Sequence, residues 1–225
     1  MLLQRGDRQW AAGSLRVEAF RVPLVDARLS APAGPLIAPP ALTLDAQLNA
    51  FAGGPLAGQA LTLSALLRPR LPRFAGWDGF SFEAPTPPGH VEREADAEDG
   101  AGDGARLVAQ RLPASTDAQG AARITIPALP ALDGPAELVA ELGFSDPAGE
   151  VQTVSQRLPL WPAAVVAALR VPDWTAARGE AAVSAAVLST EGRPLAGREI
   201  EVLGRAHQTL STRRRIDGGF YAYDN

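Results

Sequence analysis

Leu42-Thr43-Leu44-Asp45-Ala46-Gln47-Leu48-Asn49-Ala50 alternates without a break: every even position is apolar and every odd one polar. Successive side chains of an extended chain point to opposite faces, so a period of two buries one face and leaves the other in water. A helix would scatter the same leucines around its axis. Residues 42–50 therefore read as a half-buried strand with Leu44 on the core side.

Working outward, Leu61-Thr62-Leu63-Ser64-Ala65-Leu66-Leu67 alternates in its first half, which puts Leu63 inside as well. Gly53-Gly54-Pro55-Leu56-Ala57-Gly58 between the two runs supplies turn residues, and the pair reads as a hairpin. Comparable runs recur at 15–20, 122–126, 137–144 and 151–158. Ser145-Asp146-Pro147-Ala148-Gly149 joins the last two as a second hairpin, and Thr116-Asp117-Ala118-Gln119-Gly120 turns into the run at 122. Short strands at roughly ten-residue spacing, each break marked by a turn, indicate an all-β chain built as an antiparallel sandwich or barrel. The alanine-rich stretch 175–188 suits either period; Gly179 within it favours strand.

Composition agrees. The 225 residues carry 20 prolines and 22 glycines, which interrupt helices and punctuate turns. All 21 basic residues are arginine, a coding bias more than a site, and the net charge of −4 offers no general attraction to phosphate backbones, so nucleic acid is not an expected partner. The chain has no cysteine, which removes disulfides, thiolate ligands and any cysteine-derived thioester from these residues. Met1-Leu2-Leu3-Gln4-Arg5-Gly6-Asp7 lacks the apolar core of a signal peptide, and no stretch is long and apolar enough to span a bilayer.

One repeat organises the chain. Gly54-Pro55-Leu56-Ala57-Gly58 returns as Gly192-Arg193-Pro194-Leu195-Ala196-Gly197; Pro55 and Pro194 lie 194 − 55 = 139 positions apart, room for one complete sandwich between them. The proline-bounded segments Arg21-Val22-Pro23 and Leu158-Pro159-Leu160-Trp161-Pro162 mark the boundaries. The expected division is the last strand of one domain at 1–21, a whole domain at 22–160 with an inserted loop at 74–105, and the first part of another at 161–225.

The inserted loop has two parts, both expected to be exposed. Phe74-Ala75-Gly76-Trp77-Asp78-Gly79-Phe80-Ser81-Phe82 is aromatic and glycine-rich. Its Trp77, Phe80 and Phe82 form a possible partner contact, by capping the sandwich, by meeting a neighbouring domain, or by stacking on carbohydrate. Residues 92–104 are acidic, with Glu92, Asp96, Asp99 and Asp103 in a solvated, protease-accessible loop. Their spacing is not that of a calcium loop. His90 and His207 have no second ligand or carboxylate at metal or catalytic spacing, Ser81 and Ser211 have no base nearby in sequence, and Arg213-Arg214-Arg215 reads as a solvated face. No catalytic residue, metal or cofactor is expected.

The order of these features resembles the macroglobulin domains of bacterial alpha-2-macroglobulins. The resemblance rests on the Gly-x-Pro-Leu-Ala-Gly turns, the 116–122 turn, Val17-Glu18-Ala19-Phe20-Arg21-Val22-Pro23 as the strand between domains, the aromatic loop, and 213–225. It implies tandem immunoglobulin-like or fibronectin-III-like sandwiches serving as framework in a periplasmic or cell-surface protease trap, with proteases met through the parent protein and macroglobulin domains alongside. In that family a protease cuts a bait segment and the surrounding domains collapse around it; some members add a Cys-x-x-Gln thioester. These residues hold no cysteine and no identifiable bait. The other reading is an immunoglobulin-like array that binds carbohydrate or an adhesion partner through its aromatic loop.

Overall fold

The computed structural model describes residues 24–83, 104–171 and 182–204 with their side chains, and the backbone alone of residues 2–5, 8–11, 212–215 and 221–224. The expected strand at 15–20, His90, His207, Ser211, the acidic residues Glu92, Asp96, Asp99 and Asp103, and the side chains of Arg213 to Arg215 lie outside them.

Among the described residues every regular element is a strand. In chain order these are β1 (Leu2–Arg5), β2 (Arg8–Ala11), β3 (Val25–Ser30), β4 (Leu36–Ile37), β5 (Leu42–Ala50), β6 (Ala60–Pro69) and β7 (Arg106–Ser115). There follow β8 (Ala121–Ile126), β9 (Ala136–Ser145), β10 (Val151–Trp161), β11 (Val165–Arg170), β12 (Ser184–Ser189), β13 (Thr212–Arg215) and β14 (Tyr221–Asp224).

A three-stranded sheet ordered β3-β5-β8 faces a five-stranded one ordered β4-β10-β9-β6-β7. Their inner faces meet through Leu42, Leu44, Ala46 and Leu48 of β5, Leu61, Leu63, Ala65 and Leu67 of β6, and Leu138, Ala140, Leu142 and Phe144 of β9. Leu44 and Leu63 are fully buried, as their alternation requires. This is an all-β sandwich, and apolar burial between its sheets is its main source of stability. The expected hairpin between 137–144 and 151–158 forms, with β9 antiparallel to β10. The Asp146 carboxylate accepts from the Ala148 and Glu150 amides, both at 2.9 Å, and so closes its turn.

The expected hairpin between 42–50 and 61–67 does not form. β5 pairs with β3 and β8, whereas β6 pairs with β7 and β9 in the opposite sheet. The turn itself exists, since Ala50 N–H donates to Gly54 O and Leu56 N–H to Leu48 O, but the returning stub ends at Leu56 and the chain then arches across the core. Thr116, buried, fixes this arch: its hydroxyl donates to Leu56 O at 2.5 Å and accepts from the Gln59 amide at 2.9 Å. The 116–120 turn crosses the same gap, from β7 to β8. Gly120 has a φ of +74° and its carbonyl accepts from Leu48 N–H; a Cβ there would lie 2.4 Å from Leu48 O.

Beyond Trp161, β11 and β12 form an antiparallel ladder. The strand at 184–189 confirms the extended reading for the end of 175–188; residues 172–181 are outside the described set. The sequence repeat is a repeat of hydrogen bonds. Ser189 N–H donates to Arg193 O, Gly192 N–H to Ser189 O and Leu195 N–H to Val187 O, matching the bonds of Ala50, Gly53 and Leu56 at the same shift of 139.

Candidate functional site

The segment after β6 leaves its sheet with Arg70 N–H bonded to Pro135 O at 2.9 Å. Two consecutive turns follow, Phe74 to Trp77 and Trp77 to Phe80, each closed by an amide-to-carbonyl bond and each with a glycine at positive φ in its third position, Gly76 at +80° and Gly79 at +78°. Aromatic rings thus recur every three residues. The segment then turns extended, and Ser81 and Leu169 exchange both backbone hydrogen bonds, at 2.7 and 2.9 Å. That exchange fastens the loop to the free edge of β11.

The rings turn inward. Phe74 stacks on Trp161 at a centroid distance of 6.1 Å and meets Phe82 edge-on at 5.1 Å, while Trp77 meets Phe80 edge-on at 5.1 Å. Phe82 and Trp161 are buried together with Val166 and Ala168 of β11 and Leu188 of β12; Phe74, Trp77 and Phe80 are half-buried against this cluster. The expectation of an exposed aromatic loop is corrected here: for 74–83 the large apolar rings gain more from covering Trp161 and the β11–β12 ladder than from water. One face of Phe74 is taken up by Trp161 and one of Phe80 by the Arg170 guanidinium.

Polar contacts tie the same joint. Trp77 Nε1–H donates to Gly192 O at 3.2 Å. The Phe74 ring lies so close to Gly192 that a Cβ there would come within 2.6 Å of it. Two guanidiniums sit on the rings, Arg70 over Trp161 at 5.5 Å and Arg170 over Phe80 at 4.8 Å. The joint therefore gathers one residue from the end of β10, both strands of the ladder, and the repeated turn at 189–193.

A cleft of about 320 Å³ adjoins the joint, between residues 67–71 and 130–136, and its ionisable lining is Arg68, Arg70, Arg106 and Asp133. Arg68 is paired with Glu137 outside it. Guanidiniums hold their protons throughout the working pH range, so this lining offers one carboxylate without a general acid–base partner. Among the described residues no three His, Cys, Asp or Glu side chains cluster as a metal would need. The Ser81 hydroxyl accepts from the Glu83 amide at 3.4 Å. No helix among them is long and apolar enough to cross a membrane.

Sequence reasoning singled out Trp77, Phe80 and Phe82; the structure adds Phe74, Trp161, Leu188 and Gly192. One signal for these was present. At the shift of 139, the outward residues Asp45, Gln47 and Asn49 of the first copy become Ser184, Ala186 and Leu188, a face that has lost its polarity.

No family model matches the sequence, and no curated protein is similar to it. The fold is similar to solved structures of bacterial alpha-2-macroglobulins. The native conformation of Escherichia coli alpha-2-macroglobulin aligns with 97% of this chain and 14% of its own length, at 16% identity and a TM-score of 0.58. Salmonella alpha-2-macroglobulin reacted with methylamine aligns over 99% of this chain and 15% of its own, at 16% identity and a TM-score of 0.59. Escherichia coli alpha-2-macroglobulin activated by porcine elastase aligns over 85% and 16%, at 18% identity and a TM-score of 0.56. The chain thus spans 14–16% of the length of these proteins.

Proposed function

We propose that this chain is framework in an extracytoplasmic, alpha-2-macroglobulin-like protease trap, carrying one complete macroglobulin-type sandwich at 22–160 and the opening of another from 161, with the tail of a preceding one at 1–21. The observation that supports this reading is the extent of the likeness: 97–99% of the chain, and not the sandwich alone, aligns with each of two alpha-2-macroglobulins.

The mechanism is mechanical and not chemical. A trap works when cleavage of one segment is transmitted to domains that move as bodies, and transmission needs stiff joints. The joint at 74–83 supplies that stiffness by backbone pairing, ring stacking and the Trp77 bond to Gly192. Of the solved relatives in fold, one is activated by porcine elastase and another reacts with methylamine. A protease is accordingly the class of partner we assign to the parent protein, met through the acidic stretch holding Glu92, Asp96, Asp99 and Asp103 or through segments elsewhere. Without cysteine these residues supply no thioester.

Limited digestion by elastase and by two unrelated proteases, with cuts mapped by mass spectrometry, tests the reading. We expect early cuts in 84–103, common to all three enzymes, with 42–67 and 136–161 intact and the joint fragments still associated. Early cuts in β5 or β6, or fragments that part at 74–83, would remove the framework reading. Hydrolysis of any substrate by the chain itself would replace it with an enzyme.

A further inference from the structure

In the first sandwich the inward residues Leu44, Ala46 and Leu48 of β5 are buried beneath the five-stranded sheet. Their counterparts at the shift of 139 are Val183, Ala185 and Val187. Across the ladder, Val187 pairs with Ala167 and Ala185 with Leu169, which extends the same apolar, uncharged face. Here that face is open: Val183 is 43%, Leu169 39% and Val165 41% exposed. The opposite face, with Val166, Ala168 and Leu188, is already filled by the aromatic loop. A strand apolar on both faces belongs between two covering layers.

The chain itself holds the missing layer's first strand. In the first copy β6 follows the arch and covers β5 with Leu61 and Leu63. The positions 139 further on are Ile200 and Val202, in a run Glu199-Ile200-Glu201-Val202 that alternates polar and apolar. Ile200 and Val202 are 39% and 51% exposed and belong to no strand. The turn that precedes them has the hydrogen bonds of the first copy, and Gly197 repeats the φ of Gly58, +68° in each.

We propose that residues 199–204 dock over the open face of β11 and β12 as the leading strand of a second sheet, with Ile200 above Val187 and the two glutamates turned to water. The arch joins the end of one strand to the start of the next, so the residues nearest it share a level: Leu48 with Leu61 in the first copy, Val187 with Ile200 in the second. This inference rests on the tandem-sandwich part of the proposed function and is independent of protease handling, which the digestion experiment tests.

The absence of cysteine makes cross-linking clean. Three variants of the full chain are oxidised under native conditions and followed by mass spectrometry: Val187→Cys with Ile200→Cys, Val187→Cys with Glu201→Cys, and Val187→Cys alone. Because a disulfide demands close Cβ approach, the first pair is expected to close within the monomer at least about tenfold faster than the second. Equal rates, or no closure, overturn the proposal. Covalent dimers of the single variant outpacing intramolecular closure overturn it also, and assign the face to a second copy of the chain. Should the substitutions alter the circular dichroism spectrum, Ala185→Cys with Val202→Cys, against Ala185→Cys with Glu201→Cys, asks the same question one step further from the arch, with the same outcomes deciding.

Discussion

The turn at 50–58 and the turn at 189–197 have the same backbone hydrogen bonds and opposite surroundings. Around Gly53 there is nothing within 4 Å of the position a Cβ would take; around Gly192 there is the Phe74 ring. The first copy is held by its own domain, through Thr116 and Gly120 at the arch. The second is held by the aromatic loop at 74–83, through Phe74 and Trp77. Local sequence sets the turn, and the polarity of the flanking strand sets what the turn meets: Asn49 faces out beside the first, Leu188 is buried beside the second.

The sharpest way to break this comparison is to cut equivalent side chains from both copies. Leu63→Ala empties a fully buried site and should lower the stability of the first sandwich by about 3 to 5 kcal/mol. Val202→Ala, its counterpart, has only the two-stranded β11–β12 ladder to pack on and should cost less, about 1 kcal/mol. Equal effects in urea unfolding would mean that the two copies are not differently covered.

Glycine substitutions are expected to rank next. Gly120→Ala combines a positive φ with a Cβ 2.4 Å from Leu48 O, and should cost about 2 to 3 kcal/mol. Gly192→Ala must also displace Phe74 and should lose about 2 kcal/mol, together with the blue-shifted tryptophan emission of a closed joint. Gly53→Ala meets open space and should cost about 1 kcal/mol, from backbone conformation alone, with emission unchanged. If Gly192→Ala behaves like Gly53→Ala, the joint is not closed in solution.

The smallest effect isolates a single bond. Trp77→Phe keeps a ring against Phe80 and removes the donor to Gly192 O, at an expected cost of about 1 kcal/mol. Faster protease cutting at 74–83 in this variant would show the bond contributes to stiffness; an unchanged rate would leave ring packing alone responsible.

Strand existence was legible because alternation is a property of short windows, and Leu42 to Ala50 shows it over nine residues. The choice between hairpin and arch was not. Both need a glycine turn between alternating strands, and what decides is a hydroxyl from Thr116, about sixty positions away. Residues 175–188 were ambiguous for a related reason: a strand with two apolar faces loses the alternation that identifies strands. The aromatic loop announced its rings but not their seat, since Trp161 and Gly192 are remote in sequence. β1 and β2 are too short and mixed in composition to announce themselves.

The Trp77 bond to Gly192 joins residues 115 positions apart, and that separation sets an order of events during synthesis. The first sandwich can close once β10 has emerged, but the aromatic loop then has Trp161 alone to pack on until the ladder and residue 192 follow. At translation rates of about 5 to 20 residues per second, Phe74, Trp77, Phe80 and Phe82 wait roughly 5 to 20 seconds before their seat exists. During that interval their rings are uncovered apolar surface on the nascent chain, of the kind that chaperones and aggregates engage.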